Sequence, residues 1–262
     1  MDSPSPYIFG NFDVAELLLI LFFVFFAGLI FYLRREDRRE GYPLEDDLTG
    51  RLEPLGGLFF TATPKTFLLP HGHGTRTYPN AENRDRRPLA ARRMAMNDGA
   101  PIEPTGNPLL DGIGPGSYAQ RPTYPDLTLE GLPRIVPMRV AGEFSVCRQD
   151  ADPRGMTVIG CDGAAAGTVT DIWVDRSESL IRYLQVGLGG ASGTSVLVPM
   201  TMAVVSGSKR TVSVRAITAA QFADVPGPAS PDQITLDEEE RVVAYYGGGH
   251  LYATRERQEP WL

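Results

Sequence analysis

Cysteine, histidine and positive charge are all scarce in this chain of 262 residues. Cys147 and Cys161 form no CxxC pair and show no metal-ligand spacing, which favours two reduced thiols over a disulfide. His71 and His73 lie two residues apart but lack a third ligand nearby, so we expect a structural role for them. The formal net charge of −7 argues against a nucleic-acid partner, because binding to phosphates needs a basic face.

The sequence also lacks the motif of a serine hydrolase. Residues 142–145 read Gly-Glu-Phe-Ser, and neither this serine nor any other lies in a G-x-S-x-G turn. The three histidines have no evident nucleophile or acidic partner. A hydrolase is the enzyme alternative, and the sequence favours a non-catalytic protein over it.

One long apolar run is present, at residues 14–33, and Glu16 is its only charged residue. A helix of this length spans about 30 Å, the thickness of the hydrocarbon core of a bilayer. Asp13 and Glu16 have the spacing of a capping box, which places the start of the helix at Asp13. No lysine or arginine precedes the run and its apolar core is long, so the pattern predicts a membrane anchor rather than a cleaved secretory signal.

Arginines follow the apolar run directly, within residues 34–39. By the positive-inside rule they keep this end of the span in the cytoplasm, so the short N-terminus crosses the membrane. Tyr32, Arg34 and Arg35 lie at the depth of the lipid headgroups, where they are candidates to bind an anionic lipid or to anchor the helix at the interface.

Glycine and proline are abundant, with 28 and 22 residues, and they concentrate between the apolar run and residue 133. This stretch shows no sustained periodicity, which on its own is typical of a disordered linker. It is nevertheless too apolar for a solvated tether. We therefore predict an extended arm that lies against a partner surface. The apolar residues that support this prediction are Phe59, Phe60, Phe67, Leu68, Leu69, Ile102, Leu109, Leu110 and Ile113.

Short strands rich in valine and isoleucine are predicted beyond residue 134. Six of them at this spacing favour a small, closed or nearly closed antiparallel barrel. Two short helices are expected after the barrel, one at 219–223 and one that begins at the Thr235 and Glu238 capping box and stops before Gly247. The predicted strands cover residues 135–140, 157–160, 167–175, 181–188, 195–200 and 211–217.

The order of these segments, together with several short sequence motifs, closely resembles the H subunit of purple-bacterial photosynthetic reaction centres. The barrel alone resembles a PRC-barrel, a module that also occurs in soluble proteins with other roles. The resemblance covers essentially the whole chain. Its motifs are Gly-Asn-Phe-Asp at 10–13, the stretch 32–44 after the span, Pro-Lys-Thr-Phe at 64–67, Leu-Pro-His-Gly at 69–72, Pro-Thr-Gly-Asn-Pro at 104–108, Asp-Ile-Trp-Val-Asp at 171–175 and the stretches 244–249 and 251–253.

The resemblance implies a mainly β protein with one transmembrane helix, a Pro/Gly-rich arm, a PRC-type barrel and short C-terminal helices. The expected divisions are an N-terminal periplasmic stub at 1–12, the span at 13–34, the arm at 35–133, the barrel at 134–217 and a C-terminal segment at 218–262. It implies a location in the bacterial inner membrane, with the bulk of the chain in the cytoplasm. A membrane-tethered PRC-barrel adaptor or assembly protein is the alternative function.

The resemblance further implies that this chain binds no cofactor alone. Its expected partners are the L and M subunits, which hold bacteriochlorophyll, bacteriopheophytin, non-haem iron and the quinones, with membrane lipids around them. A cytochrome subunit and a light-harvesting antenna ring are further possible partners in this family. In such a complex the subunit covers the quinone sites, shields them from water and lines proton routes to the secondary quinone.

Two carboxylates three residues apart, Asp175 and Glu178, follow a predicted strand, and Arg182 comes four residues later. Paired carboxylates suit proton transfer, because repulsion raises one pKa while a nearby arginine keeps the other group ionised. From the residues alone, solvated acids in a turn are the simpler interpretation. The resemblance instead places Glu178 at the family's proton-relay glutamate, Asp175 at its partner aspartate and Arg182 at the associated arginine.

The chain departs from the family pattern where protons enter from the cytoplasm. A surface histidine pair of some members is replaced by Glu130 and Leu132, which argues against a surface transition-metal site. We expect Asp126 and Glu130 to collect protons in its place. A further acid of the family corresponds to Gln233, and a glutamine does not titrate.

Overall fold

The computed structural model describes residues 7–9, 12–53, 62–189 and 194–258. The chain divides into two compact units, one of Met1–Arg84 with Met96–Gly99, the other of Asp85–Ala95 with Ala100–Leu262. The finer boundaries expected from the sequence remain a prediction. Phe59 and Phe60, two of the apolar residues expected in the arm, lie outside the described residues, as does most of the glycine-rich turn at 189–193.

The first unit begins with two short antiparallel strands, β1 (Tyr7–Phe9) and β2 (Phe12–Asp13), followed by helix α1 (Val14–Glu36). The Asp13 side chain caps α1 by accepting a hydrogen bond of 2.7 Å from the backbone N–H of Glu16, as the capping spacing predicts. Within the described residues, α1 is the one helix long and apolar enough to cross a membrane. None of its residues is buried by the rest of the chain, so its apolar surface is free to contact lipid or other proteins.

The first unit also contains a hairpin of β3 (Lys65–Leu68) and β4 (Thr75–Tyr78). The buried guanidinium of Arg39 ties the hairpin to the end of α1, because it donates to the carbonyls of Thr63 and Tyr78 and pairs with Glu36. All four residues of β3 are exposed, and Leu68 is 83% exposed. A two-stranded ribbon with so little burial gains little stability from its own packing.

The second unit opens with another hairpin, β5 (Ala91–Arg93) and β6 (Ile102–Pro104), and with the four-residue helix α2 (Pro108–Asp111). Leu109 and Ile113 are buried here, whereas Leu110 is exposed. Some apolar residues of the expected arm are therefore packed inside the chain, and others are exposed on its surface.

A seven-stranded sheet forms the centre of the second unit, in the order β11-β10-β9-β8-β13-β12, with β7 paired to β9. The six predicted strands are all present, with ends that shift by a few residues, while β12 lacks a counterpart in the sequence prediction. The strands are β7 (Ile135–Pro137), β8 (Thr157–Ile159), β9 (Ala165–Asp175), β10 (Leu180–Leu188), β11 (Ser195–Pro199), β12 (Ala203–Ser206) and β13 (Thr211–Val214).

The predicted small, closed or nearly closed antiparallel barrel is present as a mainly antiparallel sheet, with two details that the sequence did not predict. Strands β8 and β13 pair in parallel. They are separated along the chain by β9 to β12, so no tight hairpin forces them to run antiparallel. Among the described residues, no ladder joins the end strands β11 and β12. The two strands are connected instead through a 3₁₀ turn at Met200–Met202.

Helix α3 (Leu236–Tyr252) begins at the predicted capping box. The Thr235 hydroxyl accepts from the N–H of Glu238 at 3.2 Å, and the Glu238 carboxylate accepts from the N–H of Thr235 at 2.8 Å. The predicted stop at Gly247 is wrong, because α3 continues through Gly249. A Cβ on Gly249 would lie 2.4 Å from the carbonyl oxygen of Ala216, so the glycines allow close backbone packing here rather than ending the helix. The other predicted helix is a 3₁₀ turn at Ala220–Asp224.

Candidate functional site

Asp175, the last residue of β9, anchors the turn into β10, and its side chain is fully buried. Its Oδ1 accepts hydrogen bonds from the backbone N–H groups of Ser177 and Glu178, at 2.9 and 3.0 Å. Burial raises the pKa of the Asp175 carboxyl, but hydrogen bonds from Arg134 and from the Glu178 backbone outweigh burial, and its pKa is lowered. Asp175 is therefore a fixed negative charge near neutral pH.

Arg134 joins three carboxylates. Its Nε donates to both oxygens of Asp175, at 3.0 and 2.9 Å. Its Nη1 donates to Oδ2 of Asp126 at 3.1 Å, and its Nη2 donates to Oε1 of Glu178. The hydrogen bonds to Asp175 and the other acids raise the pKa of Arg134 despite its partial burial, so the guanidinium stays charged. We call these four residues the Arg134 cluster.

Glu178 lies in the turn between β9 and β10, with 50% of its side chain exposed. Arg134 holds its Oε1, and its Oε2 has no hydrogen-bond partner among the described residues. The structure does not pair Glu178 with Arg182, which is exposed on β10 and forms no ion pair within the described part of the chain. Side chains four residues apart lie together on a helix. Here, however, Glu178 lies in a turn and Arg182 in the strand that follows, so the same spacing does not bring them together.

Asp126 and Glu130 lie in one loop, which is closed by a bridge between Leu127 and Pro133. Asp126 belongs to the Arg134 cluster, and its Oδ1 also accepts from the N–H of Leu127 at 3.0 Å. Glu130 is exposed at the turn of the loop, where a hydrogen bond from Thr128 lowers its pKa. Glu130 forms no ion pair with any described residue, so the loop brings only one of these two acids into the cluster.

A hydrogen-bonded pair, Tyr183 and Glu239, lies beside the cluster. The hydroxyl of buried Tyr183 donates to Oε2 of Glu239, in the first turn of α3, at 3.0 Å. Burial raises the pKa of Glu239, and the negative charge of Asp126 raises it further. The hydrogen bond from Tyr183 and the charges of Arg182 and Arg134 lower it. Burial is the largest of these effects, and the net shift of the Glu239 pKa is upward. Glu239 is thus the acid here with the strongest structural tendency to hold a proton.

Sequence reasoning missed both Arg134 and Glu239. Arg134 directly precedes β7, whose first residue, Ile135, lies opposite Asp175 in the sheet. That register places the arginine beside the carboxylates, and knowing it requires the pairing of β7 with β9. Glu239 is the third member of the acidic run 237–240, which by sequence alone is indistinguishable from a solvated helix start. Gln233, in the approach to α3, is partly buried.

The predicted lipid-interface residues lie at the C-terminal end of α1. Tyr32 and Arg35 line a cavity of about 370 Å³, whereas Arg34 is exposed and pairs with Asp37 at 3.4 Å. The guanidinium of Arg35 lies 6.0 Å from the centre of the Phe31 ring, and its Nε has no hydrogen-bond partner. The other residues of the cavity are Phe31, Glu36, Arg39, Thr63, Pro64 and Lys65.

The described residues contain no group of three or more His, Cys, Asp or Glu side chains that could hold a metal ion. His71 adopts a left-handed conformation in a turn at Pro70–Gly72, which fits a structural role. Cys147 and Cys161 are free thiols.

Two family models match the chain. A model described as photosynthetic reaction centre, H-chain N-terminal region, matches residues 6–140. A model of the PRC-barrel domain matches residues 148–221, which contain the central strands of the sheet. The first match includes the span, the arm and Arg134, and covers more than half of the chain. The chain therefore belongs to the family of the photosynthetic reaction centre H chain.

Proposed function

We propose that this H subunit passes protons from the cytoplasm towards the secondary quinone, through the Arg134 cluster and Glu239. The observation that carries the proposal is the convergence of Asp126, Asp175 and Glu178 on one guanidinium, beside a partly buried, hydrogen-bonded glutamate, Glu239. Reduction of a quinone to a quinol takes up two protons with two electrons, so a shielded quinone site needs titratable groups that lead to it. Redox chemistry belongs to the cofactors of the complex, and this chain serves as a non-catalytic subunit.

The residues of the route differ in role. Asp175 remains ionised and fixes the turn, because both its oxygens are occupied. Glu178 offers a free, solvent-accessible oxygen that can take up a proton. Glu239, with its raised pKa, receives protons deeper in the protein. Asp126 and the exposed Glu130 collect protons at the surface, and the positive charge of Arg182 acts on Glu239 by lowering its pKa.

The same subunit stabilises the L and M subunits, with which members of this family associate. Helix α1 buries no residue within its own chain, and the β3–β4 hairpin exposes Phe67 and Leu68. Such surfaces are stable in a membrane complex when lipid or partner helices cover them. The second unit, with its large buried core, then covers the quinone sites and excludes water from them. An adaptor function is less well supported, because the H-chain model matches the span and the arm in addition to the separate match of the PRC-barrel model.

Orientation and lipid contact follow from the charges near the span. By the positive-inside rule, the arginines at residues 34–39 support a C-terminal side in the cytoplasm of a bacterial inner membrane. Tyr32, Arg34 and Arg35 would then contact anionic headgroups at the cytoplasmic leaflet.

The rate of the second, proton-coupled electron transfer to the secondary quinone tests the proton route. In the purified complex we expect Glu178→Gln to slow this step while pigment content and the first electron transfer are unchanged. Asp232→Asn is the matched control, since Asp232 is an equally exposed acid (54%) that pairs with a different arginine, Arg139. A Glu178→Gln rate equal to wild type across the pH range would refute the route.

A further inference from the structure

One side chain holds the acids of the Arg134 cluster together. Arg134 uses Nε, Nη1 and Nη2 to bind carboxylates from three separate parts of the chain: the loop before β7, the end of β9 and the β9–β10 turn. A guanidinium presents its N–H donors in a rigid planar fork, so each bond also fixes a direction. With 23% of its side chain exposed, Arg134 forms these bonds partly shielded from water.

The three carboxylates depend on Arg134 to different degrees. Asp175 is also held by two backbone N–H groups of its own turn. Asp126 has one further hydrogen bond, from the N–H of Leu127. Glu178 has none among the described residues, so Arg134 alone determines where its carboxylate lies.

We infer that Arg134 is a positioning residue of the proton route, which holds Asp126, Asp175 and Glu178 in one cluster and so controls how readily the cluster takes up a proton. This inference rests on the proposed function, because it assigns a regulator to the same site. In this role Arg134 acts through the carboxylates that it binds.

The charges around Arg134 determine the direction of the effect. Asp126, Asp175 and Glu178 bind it directly, and Glu239 of α3 is close enough for its charge to interact with Arg134. Without the guanidinium, the three carboxylates lose the cation that they share. Neighbouring negative charges oppose one another's ionisation, so without Arg134 the cluster binds a proton at a higher pH.

Lysine cannot replace this arrangement fully. Its ammonium group is a single point with three donors, whereas Arg134 places different nitrogens against three carboxylates. Arg134→Lys therefore keeps the charge but leaves at least one carboxylate unbound, and we expect its effect to lie between those of wild type and Arg134→Gln.

The test uses Arg134→Gln and Arg134→Lys in the complete, purified complex. Arg139→Gln is the matched control, because Arg139 also pairs with carboxylates, Asp171 and Asp232, outside the cluster. One readout is the infrared C=O band of protonated carboxyl groups as a function of pH, identified by its shift in D₂O. The other is the pH profile of the second electron transfer.

We expect Arg134→Gln to move the carboxyl titration and the pH profile upward by about 1–3 pH units, the usual effect of a lost opposite charge. Arg134→Lys should give a smaller shift, and Arg139→Gln none. If the complex with Arg134→Gln does not assemble, the titration of Arg134→Lys tests the inference alone. A wild-type titration in the Arg134 variants would overturn the inference. An equal shift in Arg139→Gln would also overturn it, because the shift would then follow from the loss of any positive charge and not from the position of Arg134.

The two readouts separate this inference from the proposed function. If Glu178→Gln leaves the electron-transfer rate unchanged while Arg134→Gln shifts the infrared titration, the proton route fails and the control of the cluster by Arg134 stands. If Glu178→Gln slows electron transfer but the infrared titration is the same in every Arg134 variant, the route stands and the positioning role falls.

Discussion

Replacement of Asp175 should destabilise the chain strongly, because its carboxylate is fully buried and accepts hydrogen bonds from Arg134, Ser177 and Glu178. Asp175→Asn keeps an oxygen for the two backbone N–H groups of the turn but removes the charge that faces Arg134. Asp175→Ala removes the oxygen as well. The two variants therefore separate the ion pair from the turn.

The expected loss of stability follows from these contacts. Removing one partner of a buried ion pair costs about 3–5 kcal/mol, and Arg134 retains Asp126 and Glu178, so we expect about 3 kcal/mol for Asp175→Asn. Each turn hydrogen bond contributes about 1 kcal/mol net, so Asp175→Ala should lose about 5 kcal/mol in total. Asp152→Asn is the control: it breaks an exposed pair with Arg154 and should cost less than about 1 kcal/mol.

The assay is guanidinium unfolding of the full chain in detergent, followed by tryptophan fluorescence, which buried Trp173 makes sensitive to loss of the sheet. The pH dependence has a definite sign. Because the folded-state pKa of Asp175 is lowered, its contribution is complete above the ordinary pKa of about 3.9 and is lost as pH falls through the lowered value. The difference in the free energy of unfolding between wild type and Asp175→Asn should therefore decrease at acidic pH. Equal stabilities at neutral pH, or a gap that persists undiminished at about pH 2, would refute this account of Asp175.

Two further variants test the surroundings of the site and the packing of α3. Tyr183→Phe removes a hydrogen bond that lowers the pKa of Glu239, so infrared titration should show Glu239 protonated to a higher pH. Tyr245→Phe is the control, because it loses only a hydrogen bond to the carbonyl of Gln221 and should leave the titration of Glu239 unchanged. A downward shift in Tyr183→Phe would contradict the assignment. Gly249→Ala overpacks the contact with Ala216 and should lower the free energy of unfolding by about 1–3 kcal/mol. Gly142→Ala meets no atom within 4 Å and should change it by less than about 0.5 kcal/mol, so equal losses in the two glycine variants would contradict the packing role.

Local sequence signals predicted the elements of this fold well. The apolar run and its Asp13 cap predicted α1, the Thr235 and Glu238 box predicted the start of α3, and alternating valines predicted most of the strands. These signals depend on neighbouring residues only. The failures came where distant segments meet: the parallel pairing of β8 with β13, and the continuation of α3 through Gly249, which packs against Ala216.

The same distinction applies to the candidate site. Asp175 and Glu178 could be chosen from the sequence because they are close to each other and match a family motif. Their shared cation could not, because Arg134 is 41 and 44 residues away and reaches them only through the pairing of β7 with β9. Spacing suggested Arg182 instead, yet it lies on a strand, and its charge contributes to lowering the pKa of Glu239.

The most direct test of the proton route is the uptake of protons from solution after the second flash, measured with a pH-indicator dye in complexes with and without Glu178→Gln/Glu239→Gln. This double variant removes the exposed acid, Glu178, and the partly buried acid, Glu239, together, so neither can replace the other. We expect proton uptake and the second electron transfer to slow together by about 100-fold, the usual contribution of positioned acids and bases, while the first electron transfer is unchanged. Proton uptake and electron transfer at wild-type rates would show that protons reach the quinone without these residues.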